Sequence, residues 1–128
     1  MAALHAAAFV VPRPWSAAEI AEMLASPLCF ALSEPQGFVL GRVVAGEAEL
    51  LTVAVAPAAQ GRGIGGRLVA AFLAEAVQRG AERAFLEVAA SNAAALAVYG
   101  RAGFAVSGRR RGYYGAVDAV MMSCMLAG

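Results

Sequence analysis

The stretch from Val53 to Phe72, VAVAPAAQGRGIGGRLVAAF, decides the fold. Within it, Gly61, Gly63 and Gly66 reproduce the spacing G-x-G-x-x-G. In dinucleotide-binding proteins, that spacing places a pyrophosphate at the N-terminus of a helix. The first question about this sequence is therefore whether the glycines hold a nicotinamide or flavin dinucleotide, or a different phosphate.

The residues around these glycines argue against a dinucleotide-binding domain. In that fold the first strand runs almost directly into the first glycine. Here the predicted strand ends near Val55, because Pro57 has no N–H to continue a ladder, and APAAQ intervenes before Gly61. The acid expected on the ribose would be Glu87, which lies near the end of a later strand. The glycines therefore belong to a separate loop at a helix start.

A phosphate site at this loop remains a good interpretation. Gly61, Gly63 and Gly65 permit unusual φ values and a close approach to the backbone. The N–H groups of the first helical turn and the helix dipole favour a pyrophosphate, and Arg62 and Arg67 can add positive charge. The alternative is a glycine-rich helix start that only packs closely.

Composition bounds the class of protein. With 128 residues, residues 1–128 form a single domain, and 61% hydrophobic with 15% charged residues excludes disorder. A net charge of +1 argues against nucleic acid as a partner. Cys29, Cys124 and the single histidine, His5, lack the spacing of a metal site. Neither a secretory signal nor a membrane-spanning run is apparent, so we expect a cytoplasmic protein.

Hydrophobic periodicity predicts a mixed α/β domain with a mostly antiparallel sheet, in the order ααβββαβαββ. The predicted helices cover residues 2–9, 16–26, 63–79 and 92–101. The predicted strands cover residues 28–33, 37–45, 48–56, 83–89, 104–114 and 116–126.

The segment Gln60–Gly65, QGRGIG, is similar to the acyl-CoA pyrophosphate motif Q/R-x-x-G-x-G/A of GCN5-related N-acetyltransferases (GNAT). The segment Leu86–Phe104, LEVAASNAAALAVYGRAGF, resembles the ribosomal-protein N-terminal alanine acetyltransferases of that superfamily, as do RRRGYY and VDAVMM. The resemblance is strong over Glu47–Leu126. It implies the α+β GNAT fold, a twisted sheet of six strands flanked by four helices, as in the order above.

The resemblance implies acetyl-CoA as the acyl donor and no metal. In the family, the backbone of the strand before the phosphate loop lies along the pantetheine arm, and the loop holds the pyrophosphate. The matching strand residues are Val53, Ala54 and Val55. The matching loop residues are Gln60, Gly61, Arg62, Gly63, Ile64, Gly65 and Gly66, and Asn92 matches a further cofactor contact.

The resemblance also implies a catalytic pair. Glu87 matches the general base, acting through water, and Tyr99 matches the general acid at the leaving sulfur. The alternatives are a strand glutamate that faces solvent or an arginine, and a core aromatic at helical spacing with Leu96. Tyr113 and Tyr114 match the twin tyrosines that shape the acceptor groove, or they are surface aromatics at a turn.

The implied acceptor is a primary amine, foremost the N-terminal α-amine of a protein or peptide such as a ribosomal protein, with no nucleic acid or membrane partner. A small-molecule amine, a lysine or a silent acyl-CoA-binding module remain alternatives. Arg109–Arg111 either attract an acidic acceptor or form a solvated basic face. Family members usually open with a strand that this chain lacks, which would leave the strand around Phe30 at an exposed edge, in a monomer or a homodimer.

Overall fold

The computed structural model describes residues 17–126. The helices are α1 (Ala17–Leu24), α2 (Ile64–Gln78) and α3 (Ala93–Arg101). The strands are β1 (Cys29–Glu34), β2 (Gly37–Val44), β3 (Glu47–Val55), β4 (Arg83–Ala89), β5 (Ala105–Tyr114) and β6 (Val117–Met125). The predicted helix over residues 2–9 and the first residue of the predicted helix over residues 16–26 lie outside the described residues.

The six strands form one sheet in the order β1-β2-β3-β4-β6-β5. Neighbouring strands run antiparallel except β3 and β4, which are parallel because α2 carries the chain across between them. The predicted mixed, mostly antiparallel sheet is therefore confirmed. Within residues 17–126, β1 pairs only with β2, so the strand that contains Phe30 lies at an edge of the sheet, as expected.

The two faces of the sheet are covered by different helices. The buried side of α2 and Tyr99 of α3 share one cluster with Val39 and Leu86 of the sheet. On the other face, Ile20 of α1 packs with Phe38, Leu40 and Ala54. Any binding site at the edge of this sheet can therefore present different chemistry on its two faces.

A stacked pair of rings fixes α2 against the first hairpin. Phe30 and Phe72 stack with ring centroids 5.9 Å apart. Gly41 leaves room for both rings, since a Cβ there would come within 2.7 Å of Phe72 Cε1 and 2.8 Å of Phe30 Cζ. This packing fixes the middle of α2 against β1 and β2.

A β-bulge at Leu51 divides β3 into two parts. Leu40 of β2 lies opposite Thr52, but its neighbour Gly41 lies opposite Leu50, so Leu51 has no partner across the pair. The extra residue bends the strand and shifts the alternation of its side chains by one position. As a result, Leu50 before the bulge and Val53 after it both face the α2 side of the sheet.

Candidate functional site

The parallel strands β3 and β4 pair over only about half of their length and then separate. Their ladder pairs Glu47–Leu50 with Arg83–Leu86 and ends immediately before the bulge at Leu51. Beyond it, β3 pairs only with β2, while residues 87–89 of β4 pair only with β6. We call the gap between residues 51–55 and residues 87–89 the wedge. Each side of the wedge presents the backbone groups of an unpaired strand edge.

A tight loop connects β3 to α2 at the open end of the wedge. A 3₁₀ turn over Pro57–Ala59 ends the strand direction, and Gln60 Nε2 donates a hydrogen bond to the Val55 carbonyl oxygen at 3.2 Å. Gly61 and Gly63 then adopt positive φ values of 84° and 78°. Because residues with a Cβ rarely tolerate this conformation, the two glycines allow the loop to turn directly into the helix.

The first turn of α2 provides backbone donors for an anion. The first backbone bond of the helix runs from the Arg67 N–H to the Gly63 carbonyl at 3.1 Å. The N–H groups of Ile64, Gly65 and Gly66 precede that bond and have no intrahelical acceptor. Together with the helix dipole, these donors suit a phosphate oxygen.

Arg67, which the sequence suggested as an additional charge for the phosphate, is engaged elsewhere. Its guanidinium donates two hydrogen bonds to Glu34, Nε to Oε2 at 3.1 Å and Nη2 to Oε1 at 2.7 Å. Hydrogen bonding from Arg67 lowers the pKa of Glu34. The Arg67 charge is therefore already neutralised, and the pair ties α2 to the end of β1.

The β3 side of the wedge, the loop and α3 line an open cavity of about 450 Å³. This volume lies within the range of small-molecule sites. Most of the residues that the resemblance assigned to the cofactor line it. These are Val53, Val55, Gln60, Gly61, Gly63, Ile64, Gly65, Gly66 and Asn92.

Two of the predicted cofactor residues do not line the cavity with their side chains. Ala54 is fully buried in the cluster on the opposite face of the sheet, so only its backbone is available to the wedge. Arg62 is exposed on the loop, outside the residues that line the cavity. Both remain predictions for the cofactor, through backbone and charge respectively.

Sequence reasoning missed one wall of the cavity. That wall is a face of α3 formed by Ala94, Ala97, Val98 and Arg101. These residues follow the i, i+3, i+4, i+7 spacing of one helix face. The predicted helix from residue 92 contained this signal, but the surrounding alanines gave no indication of which face was apolar.

Asn92 has a structural role that is compatible with ligand contact. It is the N-cap of α3, and its Oδ1 accepts a hydrogen bond from the Ala95 N–H at 3.1 Å. This is the usual role of an asparagine at a helix N-terminus. Because the bond uses the amide oxygen, the NH₂ group at the other end of the side chain remains a donor for the cavity that Asn92 lines.

Tyr99 lines the cavity from within the core. Its side chain is 5% exposed, and its ring meets Phe104 edge-on with centroids 6.1 Å apart. Burial raises the pKa of the Tyr99 phenol far above its usual range. The hydroxyl is therefore a proton donor that stays protonated at neutral pH.

Glu87 borders the wedge from the other face of the sheet. It directly follows Leu86, the last residue of β4 that pairs with β3. Along β4, Leu86 and Val88 are buried in the cluster that contains Tyr99, so the alternation directs the half-buried Glu87 away from that cluster. Glu87 and Tyr99 thus approach the wedge from opposite faces, which suits one group on each side of a reacting bond.

The hairpin of β5 and β6 places Arg110 on the face of Glu87, with the predicted acceptor residue Tyr113 beside it. Ala119 of β6 pairs with both Ala89 and Arg110, so Arg110 shares the face of Glu87. The Arg110 guanidinium lies 5.2 Å from the centroid of the Tyr113 ring. Tyr113 is 53% exposed. Tyr114 ends β5, and its side chain lies outside the described residues.

Asp118 organises this hairpin. Its Oδ2 accepts a hydrogen bond from Arg109 Nε and its Oδ1 accepts one from the Gly112 N–H, both at 2.8 Å. Its backbone carbonyl accepts a bond from the Ala90 N–H, also at 2.8 Å. One residue therefore joins the end of β4 to the turn that carries Tyr113. Of the predicted basic face, Arg109 is accordingly ion-paired.

Comparison with known proteins gives this arrangement a family. A model of the Acetyltransferase (GNAT) family matches residues 4–104. The chain belongs to the GNAT family. Gln60–Gly65, which resembles the acyl-CoA motif of this family, spans the end of the loop and the start of α2.

Individual GNAT relatives include enzymes for protein N-termini. The ribosomal protein bS18-alanine N-acetyltransferase of Escherichia coli K12 is 41% identical over 90 residues, which cover 67% of this chain and 61% of the relative. The N-alpha-acetyltransferase RimI of Mycobacterium tuberculosis is 41% identical over 122 residues, covering 88% of this chain and 75% of the relative. The chain thus spans less than two thirds of the Escherichia coli relative's length.

A solved structure supports the fold directly. The crystal structure of the ribosomal-protein-S18-alanine N-acetyltransferase from Escherichia coli superposes with a TM-score of 0.87 at 32% identity. The match covers 99% of this chain and 86% of that chain. The GNAT fold expected from the sequence is therefore confirmed.

Two further observations concern the described part of this GNAT chain. Between residues 17 and 126, no three His, Cys, Asp or Glu side chains are grouped so that they could hold a metal ion. In the same range, no helix has both the length and the apolar character needed to cross a bilayer.

Proposed function

We propose that this GNAT protein transfers an acetyl group from acetyl-CoA to the N-terminal α-amine of a protein, with a ribosomal-protein alanine as the leading acceptor. The observation that carries the proposal is the cavity in which the amide-rich start of α2, the wedge and Tyr99 meet. With a ribosomal acceptor, the protein acts in the cytoplasm.

The cavity suits CoA in two independent respects. The first turn of α2 and its glycine loop offer backbone donors to a pyrophosphate. The free edge of β3 offers backbone groups to the two amides of the pantetheine arm, which can pair with it as an extra strand would. When bound, acetyl-CoA supplies an acetyl group activated as a thioester. A backbone N–H among Val53, Ala54 and Val55 is then placed to stabilise charge that develops on the thioester oxygen.

Glu87 and Tyr99 supply the two proton transfers that acyl transfer requires. An α-ammonium group has a pKa of ~7.7–8.0, so a carboxylate acting through water is a sufficient base near neutral pH. The ammonium first gives one proton through water to Glu87, because only the neutral amine has the lone pair that forms the C–N bond. As the C–N bond forms and the C–S bond breaks, the nitrogen gives up a second proton, which returns through solvent to Tyr99 after Tyr99 has protonated the sulfur. The protonated Tyr99 phenol gives its proton to the departing thiolate. The two groups lie on opposite faces of the sheet, which supports the assignment of Glu87 as the base and Tyr99 as the acid.

The acceptor assignment draws on the relatives and on the hairpin. The Escherichia coli relative is a ribosomal protein bS18-alanine N-acetyltransferase, and the Mycobacterium tuberculosis relative is an N-alpha-acetyltransferase. In this chain, Arg110 and the half-exposed Tyr113 lie on the face of Glu87, where an N-terminus would approach the base. We therefore assign acceptor binding to Tyr113 and Tyr114.

A thiol-release assay with acetyl-CoA and a panel of amines tests the proposal. The panel contains peptides with N-terminal alanine, the same peptides with blocked N-termini, peptides with an internal lysine, and free small amines. We expect turnover with the unblocked alanine peptides. Turnover with free small amines alone would reassign the acceptor, and CoA binding without turnover on any amine would identify a silent binding module.

The variant Glu87→Gln tests the assigned base. We expect its kcat to fall by about 10²- to 10⁴-fold, because general base catalysis contributes that much. Its affinity for CoA should not change, because Glu87 lies outside the cavity lining. Glu82→Gln, which neutralises an exposed glutamate just before β4, is the matched control and should keep full activity. Unchanged peptide turnover in Glu87→Gln near neutral pH would remove Glu87 from the mechanism.

A further inference from the structure

Arg101 is the single charged residue that lines the cavity, within the part of the chain that the structure describes. The remainder of the lining consists of glycine, alanine and aliphatic side chains with the uncharged Gln60, Asn92 and Tyr99. Arg101 lies in the last turn of α3, and it is exposed. A cavity that otherwise has only neutral donors therefore has one full positive charge at its rim.

The charge of Arg101 is available to a ligand. Most arginines of residues 17–126 are already engaged with carboxylates, whereas Arg101 has no ion pair or hydrogen bond from its side chain in that range. The ion-paired arginines are Arg42, Arg67, Arg79, Arg83 and Arg109. An anion that enters the cavity thus meets a guanidinium that need not give up another partner.

Arg101 lies on the face of α3 that adjoins the phosphate loop. A Cβ built on Gly65, in the first turn of α2, would lie 3.8 Å from Val98 Cγ1. Arg101 follows Val98 by three residues and therefore continues the same helix face one turn further along. Arg101 and the backbone donors at the start of α2 line the same cavity, so one ligand in it can meet both phosphate-binding groups.

We propose that Arg101 binds a phosphate group of CoA. This inference rests on the proposed use of CoA and adds the residue that supplies the charge. A planar guanidinium can donate hydrogen bonds to two phosphate oxygens at once, and it also carries a full positive charge. The backbone N–H groups and the neutral lining residues provide donors without that charge. CoA offers two such groups, the pyrophosphate and the 3′-phosphate of its ribose, and the experiment distinguishes them.

Calorimetric titration with CoA and with dephospho-CoA, which lacks the 3′-phosphate, tests the inference on the wild type and on Arg101→Gln. We expect Arg101→Gln to weaken CoA binding by about 10- to 100-fold, because hydrogen bonds to charged groups contribute on that scale. Arg111→Gln, which removes an equal charge from an exposed position on β5 outside the cavity, is the matched control and should bind as the wild type does. Arg101→Lys should recover part of the affinity.

The pattern of losses identifies the phosphate. A loss confined to CoA supports the 3′-phosphate, and an equal loss for both ligands supports the pyrophosphate. Arg101→Gln with wild-type affinity for CoA would overturn the inference while leaving the proposed function intact. If the wild type binds neither ligand, the proposed function fails as well. Thermal unfolding of each variant is the check on the fold, and we expect these exposed substitutions to leave Tm unchanged.

Discussion

Gly63 and Gly65 differ in what an added methyl group costs, and that difference gives a sharp test of the phosphate loop. Gly63 is the N-cap of α2 with a φ of 78°, and nothing lies within 4 Å of a Cβ built on it. Gly65 lies inside the helix, where a Cβ would make ordinary contacts with Val98 at 3.8 Å and Val55 at 3.9 Å. Gly63→Ala therefore strains the backbone but makes no steric clash. Gly65→Ala causes neither strain nor a clash.

The magnitudes follow from these geometries. Holding alanine in the left-handed region costs about 1–2 kcal/mol. The stiffer unfolded chain returns about 0.4–1 kcal/mol of that. We expect Gly63→Ala to lower the free energy of unfolding by about 1 kcal/mol, which is a few degrees in Tm. Gly65→Ala should be neutral or raise it by up to ~1 kcal/mol, because alanine favours helix.

The effect on CoA binding should separate the two variants more clearly. If the loop relaxes to relieve the strain at residue 63, the backbone donors at the start of α2 turn away from the phosphate. Each lost hydrogen bond to a charged group costs about 1.5–3 kcal/mol, or at least tenfold in Kd. Gly65→Ala should bind within about threefold of the wild type, consistent with the family motif, which allows alanine at this position.

Urea unfolding and calorimetric titration with CoA measure both quantities on the same preparations. Gly100→Ala is the control for helix propensity, because nothing lies within 4 Å of a Cβ built there and the residue does not line the cavity. The reasoning is refuted if Gly63→Ala binds CoA as tightly as the wild type. It is equally refuted if Gly65→Ala loses as much affinity as Gly63→Ala, since the loop backbone would then not be the deciding feature.

Two further predictions concern the catalytic acid and the acceptor hairpin. Because burial raises the pKa of Tyr99, the folded protein keeps the phenol proton at pH values above ~10, where the unfolded chain loses it. The contribution of Tyr99 to the free energy of unfolding is therefore full below that pH and is lost above it. Tyr99→Phe should remove this loss in urea unfolding, and it should lower kcat without changing the affinity for CoA. The ion pair with Arg109 and the hydrogen bond from the Gly112 N–H lower the pKa of Asp118. Because Asp118→Asn removes that ion pair, we expect a severalfold higher KM for the peptide with unchanged affinity for CoA. Glu47→Gln, which breaks the exposed pair with Arg83, is the control and should change neither quantity. In the wild type, the Asp118 anchor should persist at neutral pH and fail only as the pH falls through its lowered pKa.

The order and bounds of the described helices and strands were predictable because proline, glycine and helix-capping residues mark their ends. Pro57 ends β3 as expected, and α2 begins directly after Gly63 and ends before Gly80, whose positive φ of 86° closes it. Asn92, at which the predicted helix over residues 92–101 starts, is the N-cap of α3. In each case a local backbone requirement selects the residue type, so the signal survives in a single sequence.

The bulge at Leu51 was not predictable, although the wedge depends on it. Both faces of β3 are buried around Leu50, Thr52 and Val53. An inserted residue therefore leaves an apolar run with no break in its pattern. The alternation that would reveal a shifted register exists only where one face of a strand meets water.

Arg101 and Arg67 show the same limit for the site. The sequence suggested Arg67 for the phosphate because it directly follows the glycines, and it did not suggest Arg101, which lies far from them along the chain. Glu34, which neutralises Arg67, comes from a strand more than 30 positions earlier, so only the tertiary structure shows which charge is spent. The catalytic roles of Glu87 and Tyr99 stay predictions until the variants are measured.

The short ladder between β3 and β4 has a mechanical consequence. Within residues 17–126, the ladder that joins the three strands β1–β3 to the three strands β4–β6 has four residue pairs, so the sheet has a seam with few backbone bonds across it. A molecule seated in the wedge would act as a staple across that seam. Its binding should slow the hydrogen exchange of amides in both halves of the sheet, beyond those that it touches.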